Sequence, residues 1–239
     1  MESKRILITG AQGTVGALLT KFLAADHDIT TLRGRSDLDL TDTEATDKWF
    51  AALKRPFDVV IHCAASGTDD VDGQDFNIAR TNLCMYENLK RNRQHFRRLL
   101  NIATGCELRP EPIRSESTLT EYLPTSAYGL SKNLIARDVL NQDNWYNLRL
   151  FGLATYTRVF KNVAEAAERG EKEFNLTDRD MDYLYEYQLE YIVRLYIETD
   201  DNLIKDVNMV TETKYKVSDY VKGYISCLLY TSPSPRDLS

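Results

Sequence analysis

Three glycines, Gly10, Gly13 and Gly16, stand at a spacing of three between two segments of different periodicity. Before them, Ile6, Leu7 and Ile8 form a short apolar run, as expected of a parallel strand buried on both faces. After them, Val15, Leu18, Leu19, Phe22 and Leu23 recur with a helical period. A strand, a glycine turn and a helix in that order is what a dinucleotide-binding fold requires. Gly10 permits the tight turn, Gly13 lets a pyrophosphate approach the backbone, and Gly16 lets the helix pack close to the sheet. The free N–H groups and positive end of the helix then hold phosphate, with Gln12, Thr14 and Val15 around it. The alternative is an ordinary tight strand–helix turn.

The 239 residues suffice for one large α/β domain, or for a domain with a smaller lobe, and a hydrophobic content of 43% supports a substantial core. The net charge is -6, and no basic face with interleaved aromatics is present, which argues against nucleic acid as a partner. The basic stretch 90–98 reads as a solvated face. No apolar stretch approaches membrane-spanning length, so no membrane partner is expected, and the N-terminus enters a strand without a signal peptide. Cys63, Cys84 and Cys106 lack metal-ligand spacing and read as reduced thiols, so no metal is expected and the cytoplasm is the default compartment.

Further along, residues 28–32 form a second strand that runs into Arg33-Gly-Arg35 and not into an acid. An acid there would bind ribose hydroxyls. Two guanidinium groups suit a 2′-phosphate, because an arginine fork binds phosphate bidentately; the alternative is a solvent-exposed basic loop. Asp42 or Thr41 is a candidate N-cap for a helix over 43–53. Residues 57–62 form a buried strand ending in Cys63-Ala64-Ala65, where small side chains let a cofactor lie close. His62 reads as a packed strand-end residue. A helix over 75–91 carries Asn82, and a strand over 96–103 delivers Thr104-Gly-Cys106 to its C-terminal end, where chemistry gathers in parallel sheets.

A helix opening at 124–132 places Tyr128 and Lys132 on one face. An ammonium near a phenol favours phenolate, and a tyrosine so tuned exchanges a proton with a carbinol oxygen while a nicotinamide exchanges hydride. A strand over 146–151, a helix over 158–169, a loop then strand over 178–185, a helix over 188–198, a strand over 207–210 and a helix from Val217 complete the pattern. Residues 227–237 have no periodicity. They can be encoded by DNA resembling the transposon end and adapter used in library preparation, so the natural chain is expected to break off near Ser226.

These marks resemble the extended short-chain dehydrogenase/reductase family, also called the NAD-dependent epimerase/dehydratase family. The resemblance rests on the three glycines, Asp39-Leu40-Thr-Asp42, residues 58–65, Asn82, Thr104 and Tyr128-x-x-x-Lys132. Within the family, Arg33, Arg35, the following Asp39-Leu40 and Thr104-Gly-Cys106 look most like GDP-fucose synthase and dTDP-4-dehydrorhamnose reductase. The resemblance implies a Rossmann-type, doubly wound α/β sheet. Residues 1–151 would form the NAD(P)-binding domain, 152–226 its remainder with a truncated substrate lobe, and 227–239 an artefact. It also implies roles. Tyr128 is the general acid/base, Lys132 tunes it and binds ribose, Thr104 orients the substrate oxygen, and Cys106 is either an epimerisation residue or a structural thiol. Gly10, Gln12, Gly13, Thr14, Val15, Gly16, Arg33, Arg35, Asp39, Leu40, Ala64, Ala65, Asn82, Tyr128 and Lys132 would bind the cofactor.

Three features depart from the pattern. Residues 152–155 replace Asn-x-Tyr-Gly, Gln188 stands near a common aspartate, and none of His27, His62 and His95 matches the second epimerisation residue. The expected activity is NADP(H)-dependent reduction of a keto-sugar carried on a nucleotide, in a protein for which a homodimer is compatible. NAD-dependent, redox-neutral epimerisation or dehydration is the alternative, and a catalytically inactive nucleotide-binding regulator is a second.

Overall fold

The computed structural model describes residues 2–67, 75–108, 119–121, 123–154, 158–171, 173, 180–200, 203–219 and 221–222. The elements run β1 (Arg5–Thr9), α1 (Thr14–Leu23), β2 (Asp28–Leu32), α2 (Thr43–Ala51), β3 (Phe57–His62), α3 (Phe76–Arg91), β4 (Phe96–Thr104), α4 (Ala127–Leu140), β5 (Trp145–Leu150), α5 (Arg158–Glu168), β6 (Asp180–Met181), α6 (Glu186–Glu198), β7 (Asp206–Met209) and β8 (Tyr215–Lys216). The expected elements through β7 appear near their anticipated positions, although the strand expected within 178–185 is only the two residues of β6, and the helix expected from Val217 lies partly outside the described residues. Two short 3-10 turns, Arg93–His95 and Gly105–Leu108, were not legible in the pattern, nor was the β6–β8 antiparallel pair. The proposed artefact at 227–239 lies outside the described residues.

The chain divides into two units, 1–150 with 187–209, and 151–186 with 210–239. The first contains a six-stranded sheet of order β2-β1-β3-β4-β5-β7, every neighbouring pair parallel. This is the Rossmann-type, doubly wound α/β arrangement, and the order reverses between β1 and β3. Ile6, Leu7 and Ile8 are fully buried, as a strand near the sheet centre requires. One core cluster gathers Phe50, Phe57, Tyr86, Leu99, Phe96 and Trp145, with the Phe96 and Trp145 rings stacked at 5.8 Å. Each such side chain contributes about 1.5–3 kcal/mol on burial.

A polar line interrupts this apolar sheet. Thr9, His62, Asn101, Asn147 and Asp206 are successive register partners across β1, β3, β4, β5 and β7. Residues in register share a face, so five polar side chains stand side by side. Thr9 Oγ1 and His62 Nδ1 are 2.8 Å apart, Asn101 Nδ2 donates to Asn147 Oδ1 at 2.9 Å, and Asn147 Nδ2 donates to the Ala136 carbonyl of α4 at 2.9 Å. Partnering of this kind makes buried polar groups tolerable.

In the second unit, β6 and β8 pair, Leu153 bridges Leu184, and Asp182 accepts from the backbone and hydroxyl of Thr211. A Cβ on Gly152 would meet the Tyr183 ring at 3.0 Å. Thr155, the last residue of the departing motif, lies outside the described residues.

Helix starts follow side-chain caps. Asp42 caps α2 through the Ala45 N–H, and Asp75 caps α3 through the Asn77 N–H. Ser126 Oγ accepts from the Gly129 N–H at 3.0 Å and fixes the first turn of α4. Replacing Ser126 with Ala should therefore cost about 1 kcal/mol of unfolding free energy. Urea unfolding measures this; an unchanged midpoint would mean that packing alone sets where α4 begins.

Candidate active site at the strand C-terminal ends

The cleft begins with the glycine turn. Gly10 has φ +66°, and a Cβ there would lie 2.6 Å from the Ala64 backbone. Only glycine fits a left-handed position pressed against another strand's exit loop. A Cβ on Gly16 would lie 2.4 Å from the Gly10 carbonyl, so α1 rests directly on the turn. Gly13 caps α1 without a side-chain hydrogen bond, so no side chain at the cap occupies the first-turn N–H groups that an anion at a helix start would take.

A cleft of about 380 Å³ opens at the β1/β3 reversal. Of the expected cofactor residues, Gly10, Gly13, Arg33, Arg35, Asp39, Leu40, Ala64 and Ala65 line it. Gln12 and Thr14 are exposed, Val15 is half-buried and Gly16 is buried; none of the four lines the cleft. Cys63, the first residue of the small stretch expected to lie close to a cofactor, lines it too, as do Leu32 and Gly34 beside the two arginines; Leu38, Ser66, Thr81 and Met85 also line it and were not singled out from the sequence. Thr81 and Met85 lie four apart on α3, and that spacing was the only available signal.

Asn82 is expected to bind cofactor, but it is buried and already partnered. Its Oδ1 accepts from the Ser66 N–H at 2.7 Å, and its Nδ2 donates to the Ser66 carbonyl and to Ser131 Oγ, both at 3.1 Å. It clamps the cleft-lining loop after β3 to α4. Arg33 and Arg35 do stand on the β2 exit, yet each is paired four residues on: Arg33 with Asp37 at 3.2 Å and Arg35 with Asp39 at 3.5 Å. The Arg33 N–H and guanidinium hold the Asp37 carboxyl below its usual range. Hydrogen bonds from Thr41, with help from Arg35, do the same for Asp39.

The remaining residues lie on α4 and on the turn after β4, which pack together. Lys132 is 3% exposed, and its Nζ donates to the Ile102 carbonyl at 2.8 Å. Burial lowers its pKa, while Glu107 opposes that shift. A Cβ on Gly129 would lie 2.7 Å from the Cys106 carbonyl, so α4 sits tightly on the turn after Thr104. Within that turn, the Cys106 N–H donates to Thr104 Oγ1 at 3.4 Å. Tyr128 is half-buried against Ile78, Ala79 and Ala127. His62 is buried, and burial lowers its pKa to about 3, so it stays neutral. Burial raises the Cys63 thiol to about 12, so that sulfur stays protonated.

The sequence reading missed a buried charge network. Glu107 and Arg149 have no exposed side-chain surface and form an ion pair. Arg149 also donates to Asn208 Oδ1 at 2.8 Å and Asp206 Oδ1 at 2.7 Å, and the Glu107 carboxylate lies 3.4 Å from the Thr104 N–H.

A family model for the NAD dependent epimerase/dehydratase family matches residues 6–185. The chain belongs to that family. It is 30% identical over 148 residues to an L-arabinose 1-dehydrogenase (NAD(P)(+)) from Haloferax volcanii, covering 54% of this chain and 57% of that protein. It is also 30% identical over 142 residues to a GDP-L-fucose synthase from Sinorhizobium fredii, covering 55% and 44%. The chain thus spans about half the length of the curated relatives it matches. Its fold superposes on a GDP-mannoheptose C4 reductase from Campylobacter jejuni with a TM-score of 0.80 at 16% identity, covering 97% of this chain and 86% of that one. Among the described residues no three His, Cys, Asp or Glu side chains gather as a metal site, and no helix is long and apolar enough to cross a membrane.

The network gives a pH test. Burial raises Glu107 from 4.5 to about 7, despite the pull of Arg149 and Lys132 toward the carboxylate. A raised folded pKa contributes stability that is full below pH 4.5 and is lost as pH rises to about 7. The loss is on the order of 3 kcal/mol. Glu107→Gln should flatten that part of the stability curve; parallel curves for the two proteins would disprove the assignment.

Proposed function

We propose that this chain holds NADP(H) in the β1/β3 cleft and reduces a keto group on the sugar of a nucleotide-sugar. The observation that carries the reading is the shared end of one parallel sheet. There the glycine turn and the Arg33–Arg35 loop line a cleft, and α4 brings the Tyr128 and Lys132 segment onto the Thr104 turn. The residues fit the cofactor. Gly10 and Gly13 offer backbone approach, Arg33 and Arg35 offer phosphate forks, Asp39 and Leu40 line the cleft beside them, and Ala64 and Ala65 offer room. NADP(H), when bound, supplies the hydride.

The protein's own groups do the rest. Thr104 orients the carbonyl oxygen, the Tyr128 phenol gives that oxygen a proton, and Lys132 favours the phenolate left behind. The relatives' names support the substrate class, since a GDP-L-fucose synthase and a GDP-mannoheptose reductase are both named for nucleotide-sugars.

A second reading, NAD-dependent and redox-neutral epimerisation or dehydration, is favoured by Asp37 and Asp39. They bring carboxylates to the loop where an acid would bind ribose hydroxyls. Titrating both cofactors separates the two. NADPH should bind more tightly than NADH, and Arg35→Ala should weaken NADPH selectively by about 1.5–3 kcal/mol. Equal affinities before mutation would favour the second reading. For the chemical step, Tyr128→Phe keeps the ring against Ile78 and Ala79, so folding and cofactor affinity should persist while turnover falls roughly 10²–10⁴-fold. Turnover near that of the unmodified protein would remove the phenol from the mechanism.

A further inference from the structure

We infer that Glu107 is a positioning residue of this site, fixing the Thr104–Cys106 turn and supplying negative charge to the buried Lys132 ammonium. The inference rests on the roles proposed above for Thr104 and Lys132. Glu107 has no exposed surface, an unusual place for a carboxylate unless partners require it. One carboxylate oxygen meets Arg149 Nε, and the other lies 3.4 Å from the Thr104 N–H. The Glu107 carbonyl accepts from Asn133 Nδ2 of α4 at 2.7 Å. Asn133 follows Lys132, so one residue joins the turn bearing Thr104 to the helix bearing the lysine.

The charges facing Glu107 come from three elements. Arg149 lies on β5, Asp206 on β7 and Lys132 on α4, while the Cys63 thiol after β3 stays protonated and adds no charge. Arg149 is committed to Glu107, Asp206 and Asn208 together. Asp206 offsets part of its charge, and the Glu107 carboxylate acts on both Arg149 and Lys132. A salt bridge serving stability alone would need only Arg149. The Thr104 contact directs the Glu107 carboxylate toward the site, and the Asn133 bond to the Glu107 carbonyl holds the turn against α4.

The test follows Lys132 by the NMR signal of its ¹³C-labelled Cε in the whole chain, assigned with Lys132→Met. Glu107→Gln should lower the Lys132 titration midpoint by about one unit or more, because a favourable neighbouring charge is lost. An unchanged midpoint would overturn the inference. Should Glu107→Gln fail to fold, the unmodified protein still reports. Its Lys132 signal should carry a second inflection where Glu107 titrates, and a single inflection would overturn the inference equally. NADPH titration of the same samples is a separate readout. A shifted Lys132 midpoint without NADPH binding would uphold the role of Glu107 and sink the cofactor reading.

Discussion

The structure depends on a contact that only the absence of side chains permits. The Gly10 carbonyl supports α1 at Gly16, and the same turn touches the Ala64 backbone as the chain leaves β3. Packed interiors do not yield by half an ångström without loss. A methyl group at either glycine would push α1 off the sheet or part β1 from the β3 exit. Both movements would close or distort the cleft at the strand reversal. The turn therefore holds the nucleotide-binding geometry and the centre of the sheet in one contact, and neither can drift alone.

A second constraint is electrostatic. The sheet buries Thr9, His62, Asn101 and Asn147 along one register line that ends at the partly buried Asp206, with Arg149 and Glu107 beside its β5 end. Buried charges are costly unless paired and hydrogen-bonded. Here Arg149 has three acceptors and Glu107 has donors from two elements, so removing one member would leave the others uncompensated. Such a network adds little net stability compared with apolar packing. It does specify register, because a slip of one residue would scatter the partners to opposite faces.

Much of this was legible in the residues. The glycine spacing, the apolar runs at 6–8 and 57–62 and the Tyr128/Lys132 pair each follow a local period, so local pattern reveals them. What stayed hidden depends on long-range pairing. Glu107 sits one residue past the Thr104-Gly-Cys106 segment and reads as a loop acid, while its partners Arg149 and Asp206 lie 42 and 57 residues away along successive steps of the network. Asn82 was legible as a site residue, but not as a clamp on Ser66 and Ser131, because its partners are 16 and 49 residues away. The arginines after β2 were visible. Their capture by Asp37 and Asp39 depends on the loop folding back within four residues, which alternation and helical period do not encode.

That capture bears on how strongly the loop can discriminate between cofactors. Both ion pairs are exposed on the arginine side, at 68% and 74%, and an exposed pair of this kind is worth about 0.2–1 kcal/mol. A charged hydrogen bond to a phosphate is worth about 1.5–3 kcal/mol. On the proposed reading, a 2′-phosphate outcompetes Asp37 and Asp39, and the guanidinium groups turn at small cost. The acids still subtract. They offset the loop's positive charge before any ligand arrives, and they remain to accept hydroxyls from a ribose lacking the phosphate. The difference between the two cofactors is then about 1–3 kcal/mol, a preference of roughly ten- to a hundredfold and not an exclusion. A loop built this way selects by competition between its own acids and the ligand's phosphate, and selectivity would sharpen with the loss of either acid.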